Sequence, residues 1–137
     1  MPNENGGSGG CLCGGVRYRV DGPLSDVGAC HCSQCRKTTG HYFVAASCVR
    51  TDLSFDSDET LAWYDSSSRA RRGFCSRCGS SLFWEGVGRD EIDILAGTLD
   101  QPTGLKLTDH IYVADKGDYY DISDGLPQFD QYYDAEQ

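Results

Sequence analysis

Hydrophobic and polar residues alternate in several short stretches of the chain, which is the pattern of strands with one buried face. Residues 16–20 (VRYRV) alternate strictly, and residues 42–49 (YFVAASCV) form a short apolar run rich in strand-forming side chains. Similar stretches predict further strands at residues 61–64, 81–84, 92–99 and 110–113. Turns rich in Gly, Asp and Ser separate them, so the sequence predicts a mainly β protein with antiparallel pairing.

Little helix is expected. A short helix is predicted over residues 33–38, with Ser33 as its N-cap. Residues 1–10 (MPNENGGSGG) are predicted to be a flexible tail, because glycine and polar residues do not hold a packed conformation. No linker or repeat divides the rest, which predicts a single domain over residues 11–137. The last aromatic residues are expected to pack on this chain or on a partner; they are Phe129, Tyr132 and Tyr133.

The chain of 137 residues carries a net charge of −9, and the excess lies near its end. Residues 1–90 hold ten basic and ten acidic residues, whereas residues 91–137 hold two lysines and eleven acidic residues. An acidic protein repels nucleic acid and anionic membranes, so neither is expected as a partner. No apolar run approaches the roughly 18 residues of a membrane span, and no signal-peptide pattern is present. We therefore expect a cytoplasmic protein with reduced thiols.

Seven of the eight cysteines fall in three tight clusters. The motifs are CLC at residues 11–13, CHCSQC at 30–35 and CSRC at 75–78. Two cysteines separated by two residues can place both sulfurs on one tetrahedral zinc ion at about 2.3 Å. The glycine after Cys78 lets the chain leave such a turn. Pairing the first motif with the last predicts a structural zinc site formed by Cys11, Cys13, Cys75 and Cys78.

The middle motif leaves three thiolates, those of Cys30, Cys32 and Cys35. Three protein ligands and one exchangeable position are typical of a working zinc ion. Such an electron-rich zinc is a poor acid toward water, but it binds a small-molecule thiol well and holds it deprotonated. This favours a reaction of a sulfur nucleophile over hydrolysis. The alternatives are a metal-free redox cluster and a closed site completed by a histidine such as His31.

The remaining cysteine and histidines are interpreted as structural. His41 and His110 are more often hydrogen-bonded residues than ligands. Cys48 lies in the apolar run of residues 44–49, where a buried and inert thiol is expected.

Taken together, these motifs resemble the glutathione-dependent formaldehyde-activating family, which also includes centromere protein V. The matching segments are CLCGGVRY at 11–18, CHCSQCRKTTG at 30–40, RRGFCSRCGSSLFW at 71–84 and DHIYVADKGDYYDISDGLPQFD at 109–130. The resemblance implies a β-tent fold, with small antiparallel sheets pinned by zinc. It also implies a structural zinc ion on the first and last cysteine pairs, and a second, labile zinc ion on the middle triplet, where the glutathione thiol binds.

The activity that the resemblance implies joins glutathione to formaldehyde and gives S-(hydroxymethyl)glutathione. The chain, a short form of the domain, is accordingly expected to be a carbon–sulfur lyase with two zinc ions. Its catalytic residues would act through the second zinc ion, and they are Cys30, Cys32 and Cys35.

Cations near the cysteines are candidates for holding glutathione, which carries two carboxylates. Arg69, Arg71 and Arg72 precede the last motif, and guanidinium binds carboxylate bidentately; Arg71 and Arg72 are the residues assigned to substrate binding. Arg36 and Lys37 follow the open site and are further candidates. The alternative is that these cations neutralise the thiolates or pair with acidic residues.

Two other functions compete with this one. A thiol redox enzyme would need a reactive cysteine free of metal, and only Cys48 lies outside the clusters. A non-catalytic, zinc-stapled binding module would use its surface, including the acidic and aromatic tail after residue 126, to bind a protein partner.

Overall fold

The fold is built almost entirely from short strands, as the sequence predicts. The computed structural model describes residues 3–132, which form ten strands, one α-helix and three 3₁₀ turns. The strands are β1 Gly7–Gly10, β2 Val16–Val20, β3 Val27–Cys30, β4 Phe43–Val49, β5 Leu53–Asp58, β6 Leu61–Ser67, β7 Ala70–Cys75, β8 Ser81–Gly86, β9 Glu91–Leu95 and β10 Leu107–Ile111. Helix α1 spans Ser33–Thr39, and the turns span Arg50–Asp52, Ala96–Thr98 and Val113–Asp115. Within residues 3–132, no helix is long and apolar enough to cross a membrane.

The strands form two sheets that share one core. The smaller sheet has the order β1-β2-β5, and the larger has the order β10-β3-β4-β9-β8-β7-β6. Side chains from both sheets meet in one hydrophobic cluster, where the ring of Tyr18 from β2 contacts that of Phe83 from β8 at 5.4 Å between centroids. All strand pairs are antiparallel except β10 with β3, which run parallel. This exception places the end of β10 beside the strand that enters the middle cysteine motif.

The glycine-rich start of the chain is partly a strand. Residues 7–10 pair with β2 along their whole length, so the predicted flexible tail is wrong for this part. Glycine is required at residue 9 because any side chain would clash with its neighbours. A Cβ on Gly9 would lie 2.2 Å from the carbonyl oxygen of Thr98 and 2.4 Å from the hydroxyl of Tyr18. Backbone can approach the core this closely only where side chains are absent.

Two predicted strands end earlier than the hydrophobic pattern indicates. The strand predicted at residues 92–99 stops at Leu95, where the chain enters a 3₁₀ turn. The strand predicted at residues 110–113 stops at Ile111, because Tyr112 adopts a left-handed backbone with φ of 56°. Strands β3, β5 and β7 are not among the predicted ones, since short, glycine-containing or charged segments give a weak apolar signal.

The N-cap of helix α1 lies one residue earlier than predicted, inside the middle cysteine motif. Its N-cap is Cys32 and not Ser33, and the sulfur of Cys32 accepts a hydrogen bond from the backbone N–H of Cys35 at 3.4 Å. The prediction of Ser33 is wrong because the cysteine sulfur takes the acceptor role that a serine hydroxyl usually has at this position. The helix ends at Gly40, whose φ of 84° is left-handed.

The segment after β10 folds back along this strand. The backbone N–H of Phe129 donates to the carbonyl of His110 at 2.9 Å, and that of Tyr112 donates to the carbonyl of Gln131 at 2.8 Å. The tail up to residue 132 therefore pairs with its own chain, which is one of the two arrangements expected for it. Tyr133 lies outside the described residues.

Candidate metal centres

The first and last cysteine motifs meet at one point. The Sγ atoms of four cysteines lie within 4.8 Å of one another; these are Cys11, Cys13, Cys75 and Cys78. The Sγ of Cys13 is 3.6 Å from that of Cys11 and 3.6 Å from that of Cys75. A tetrahedral zinc ion with sulfur ligands at about 2.3 Å has neighbouring ligands about 3.8 Å apart. All four thiols are free of disulfides, so the donor set fits one metal ion.

The turn after β7 aims backbone N–H groups at a sulfur. The N–H groups of Arg77 and Cys78 lie 3.4 and 3.3 Å from the Sγ of Cys75. Gly79 has φ of 79°, which lets its N–H reach back to the carbonyl of Cys75 at 2.8 Å. Hydrogen bonds, first that with the Ser80 hydroxyl, lower the pKa of the Cys78 thiol to about 5. Donors of this kind stabilise the thiolate that a metal needs.

Two side chains that the sequence analysis does not single out also contact this cluster. The hydroxyl of Thr60 lies 3.1 Å from the Sγ of Cys75, and Nε of Arg77 lies 3.3 Å from the Sγ of Cys13. Four thiolates around a divalent ion leave a net charge of about −2, which a guanidinium offsets. Arg77 lies within the CSRC motif, so its position is the only signal in the sequence for this role.

The middle cysteines form a second cluster at a junction between strand and helix. The Sγ atoms of Cys30, Cys32 and Cys35 all lie within 4.8 Å of one another. Cys30 ends β3, Cys32 caps α1 and Cys35 lies in the first turn of that helix. Cys35 is buried, whereas Cys30 and Cys32 are partly exposed, so the cluster opens on their side. Within residues 3–132, no fourth Cys, His, Asp or Glu offers a ligand atom to this group.

The three middle thiols shift one another's pKa. Hydrogen bonds with Cys30 and then with Cys35 lower the pKa of the Cys32 thiol. The hydrogen bond with Cys32, followed by that with Cys35, raises the pKa of Cys30. Cysteine binds a metal as the thiolate, so an ion that took all three sulfurs would release protons.

Both ring nitrogens of His31 are engaged away from the sulfurs. The Nδ1 atom lies 2.5 Å from the hydroxyl of Tyr120, and Nε2 lies 2.9 Å from Nδ1 of His110. Nε2 of His110 lies 2.7 Å from the carboxylate of Asp124. His31 is only 1% exposed and its ring has no free nitrogen. The alternative in which His31 completes a closed site therefore has no support in this structure, and His110 is hydrogen-bonded as expected.

The two arginines proposed for glutathione have different surroundings. The guanidinium of Arg71 lies 2.7 Å from the carboxylate of Glu85 and 3.9 Å above the ring of Trp63. Arg72 is 7% exposed, and its Nη2 lies 3.6 Å from the Sγ of Cys35. Its buried Nε has no hydrogen-bond partner among the described residues. Arg71 is thus held by structural contacts, whereas Arg72 is a buried cation beside the second cluster.

A cavity of about 230 Å³ lies next to Arg72. Side chains from α1 and from β4, β6, β7 and β8 line it, including Thr39, Phe43, Tyr64, Arg72, Phe74 and Ser81. Arg72 therefore connects this cavity to Cys35. The other cations proposed for a ligand are Arg36, whose buried Nε also has no partner in residues 3–132, and Lys37, which is exposed.

The eighth cysteine is isolated from both clusters. Cys48 is fully buried in β4, and burial raises the pKa of its thiol to about 12. A reactive redox cysteine has the opposite properties, a low pKa and access to solvent. His41 lies near the second cluster in sequence, but its Nδ1 is hydrogen-bonded to the hydroxyl of Tyr119 at 2.7 Å. Both residues therefore match their structural interpretation.

Fold and site together define the class: a small, mainly β protein with two cysteine clusters that could bind metal ions. Residues 7–115 match the family model described as glutathione-dependent formaldehyde-activating enzyme. The chain belongs to this family, and the resemblance drawn from its motifs is confirmed.

Individual relatives agree with this placement. An uncharacterized lyase of Schizosaccharomyces pombe is 29% identical over 122 residues, which are 88% of this chain and 88% of that protein. A Halomonas elongata protein, whose name proposes a glutathione-dependent formaldehyde-activating enzyme, is 37% identical over 83 residues, or 55% of this chain and 53% of that protein. The crystal structure of a Rhodobacter sphaeroides protein superimposes with a TM-score of 0.59 at 26% identity, covering 74% of this chain and 99% of that one. Names and family support an enzyme of the lyase type.

Proposed function

We propose that this protein is a zinc-dependent carbon–sulfur lyase that binds glutathione at the cluster of Cys30, Cys32 and Cys35 and joins its thiol to a small aldehyde such as formaldehyde. The observation that carries the proposal is the incomplete donor set of this cluster. Three sulfurs converge, the described residues offer no fourth ligand, and the nearest histidine is engaged elsewhere. A vacant fourth position is the usual mark of a catalytic zinc site.

The metal proposed for both clusters is zinc. Cysteine thiolates are soft ligands that suit zinc, and the observed sulfur spacing fits its tetrahedral geometry. Cys11, Cys13, Cys75 and Cys78 would hold a structural ion. Zinc bound to the triplet would supply a Lewis-acidic centre that keeps a small thiol ionised at neutral pH.

Arg72 is the residue we assign to the anionic part of glutathione. A guanidinium that is 7% exposed and pairs with no carboxylate in residues 3–132 is costly unless an anion meets it. The Sγ of Cys35 lies 3.6 Å from its Nη2, its Nε has no hydrogen-bond partner in residues 3–132, and the side chain lines the cavity. Arg71, the second arginine of the prediction, is dropped from this role because Glu85 and Trp63 already hold it.

The proposed reaction is addition of the glutathione thiol across a carbonyl group. A bond forms between sulfur and the carbonyl carbon, the carbonyl π electrons move to oxygen, and the thiol proton ends on that oxygen. The protein's own residues contribute by holding both reactants together and by excluding water on the buried side of Cys35. The same site run in reverse cleaves the carbon–sulfur bond, which is why a lyase description applies.

Cobalt substitution tests the proposal directly. Cobalt replaces zinc and reports by its absorption how many sulfurs surround it. We expect the signal of one of two bound ions to shift toward four-sulfur coordination as glutathione is added, with saturation, and S-methylglutathione, which lacks the thiol, to give no shift. A spectrum that ignores millimolar glutathione would overturn the proposal and favour a zinc-stapled binding module instead.

A further inference from the structure

Behind the second cluster, four side chains form a continuous hydrogen-bonded chain. It runs from the hydroxyl of Tyr120 to His31, from His31 to His110 and from His110 to the carboxylate of Asp124, with distances of 2.5, 2.9 and 2.7 Å. The two imidazoles are 1% and 2% exposed, whereas the side chain of Asp124 is 38% exposed. The chain therefore reaches the surface at Asp124 and passes through His31, the residue between Cys30 and Cys32.

The direction of every hydrogen bond in the chain follows from Asp124. Hydrogen bonds, first from the backbone N–H of Leu126 and then from His110, lower the pKa of this carboxyl, so it is ionised and can only accept. A neutral His110 must then carry its proton on Nε2, which leaves Nδ1 as an acceptor. The ring of His31 donates to it from Nε2, and its bare Nδ1 accepts from the hydroxyl of Tyr120.

His31 is 1% exposed, and its ring is held from both sides by Tyr120 and His110. Its backbone N–H is also fixed, because it donates to the carbonyl of Ile111 at 3.0 Å. The residue between Cys30 and Cys32 is thus held by its main chain and by both ends of its ring.

We propose that Asp124, acting through His110, holds His31 in the Nε2–H tautomer, and that this chain is a positioning device which keeps the sulfurs of Cys30 and Cys32 aimed at that of Cys35. Partners behind metal ligands commonly set metal affinity by factors of about 10 to 100. Here the hydrogen-bonded chain acts on Cys30 and Cys32 through His31, the residue between them. The inference concerns the protein and its metal affinity, and it is tested without glutathione.

Nitrogen NMR of the histidine rings tests the tautomer. The chain has three histidines, so a long-range proton–nitrogen spectrum contains three ring systems, and His41→Gln removes one of them for assignment. At pH 8 we expect the buried pair to show protonated Nε2 and bare Nδ1 in both rings. Protonated Nδ1 on His31, or an even mixture of tautomers, would overturn the proposal even if every variant failed to fold.

Metal affinity tests the positioning. Asp124→Ala removes the acceptor that orients the chain, whereas Asp121→Ala removes the same charge from the same segment without a hydrogen bond to a histidine. We expect competition with a chromophoric chelator to give cobalt affinity at the triplet about tenfold weaker in Asp124→Ala than in Asp121→Ala, with affinity at the four-cysteine cluster equal in both. Equal affinities at the triplet would overturn the positioning role. Failure of the glutathione titration would leave both of these results unaffected.

Discussion

The two cysteine clusters use the same ligand atom but are assembled in different ways. The four-sulfur cluster joins residues 62 positions apart, as between Cys13 and Cys75, and lies where the smaller sheet meets the end of β7. The three-sulfur cluster spans Cys30–His31–Cys32–Ser33–Gln34–Cys35 and is complete within one junction of strand and helix. Closing the longer loop costs about 2 kcal/mol more chain entropy than closing the short one.

Under the proposed function, this difference would separate a structural metal site from a working one. A metal ion that bridges distant segments restricts the unfolded chain, so its binding energy becomes folding energy. An ion held by a short local turn restrains little that the backbone does not already fix. It can therefore leave or change its fourth ligand while the fold persists. The first cluster is accordingly surrounded by hydrogen-bond donors from the turn after β7, with Cys13 exposed, whereas the second has two partly exposed sulfurs and an incomplete donor set.

Among the changes that test this difference between the clusters, Cys75→Ser is expected to have the largest effect. Serine is a poor zinc ligand, so the distant segments lose their common ion, and we expect the midpoint of thermal unfolding to fall by more than about 10 °C. Circular dichroism during heating measures it. A midpoint within a few degrees of wild type, with metal content unchanged, would show that the four-sulfur cluster is not a structural site.

Cys32→Ser is the matched change in the other cluster. Serine keeps the N-cap of α1, because its hydroxyl accepts the same backbone hydrogen bond. We expect the midpoint to stay within about 5 °C of wild type while one metal ion per chain is lost. Elemental analysis of the purified protein counts the metal. Loss of both ions, or of the fold, would erase the distinction between the clusters.

Arg72→Gln tests whether Arg72 binds glutathione beside the second cluster. The amide keeps a donor but loses the charge, so we expect glutathione affinity to fall about tenfold, as followed by cobalt absorption. Arg71→Gln is the control with the same chemical change one residue away. It should leave glutathione affinity unchanged and lower the free energy of unfolding by about 1 kcal/mol, through lost contacts with Glu85 and Trp63. Equal losses of affinity would argue for a general charge effect.

Chelator kinetics should show the smallest effect. A competing chelator is expected to strip the three-sulfur cluster first, since its fourth position is open to attack. Saturating glutathione should slow this step a few-fold by occupying that position, with no change at the four-sulfur cluster. Stopped-flow absorbance of the chelator–metal complex resolves the two phases. A single phase for both ions would contradict the difference in access.

The cysteine spacing predicted both clusters because the ligands are strong local signals. Cys11 and Cys75 meet as the pairing of the first and last motifs predicts, and the helix at residues 33–39 is nearly where the sequence places it. The glycine strand β1 could not be found from hydrophobic pattern, since its pairing depends on the space that Tyr18 and Thr98 leave for bare backbone.

Contacts between residues far apart in the sequence account for the features that the sequence analysis could not predict. Arg71 and Arg72 have different surroundings because successive side chains along β7 point to opposite faces of the sheet. The contact of His31 with His110 spans 79 positions and depends on the parallel pairing of β10 with β3. No local pattern encodes that pairing, so the chain to Asp124 is visible only in the folded protein.

The distance between the two halves of the four-sulfur cluster also sets an order of events during synthesis. Once residue 35 has left the ribosome, five cysteines are available, and the completing pair at residues 75 and 78 follows only after 40 more residues. Until Cys48 emerges, Cys11 and Cys13 are the only cysteines from which the early triplet can recruit a fourth sulfur. We expect a nascent chain that meets excess zinc at this stage to hold its metal with the wrong set of cysteines, and the native sets to form only after residues 75 and 78 have emerged.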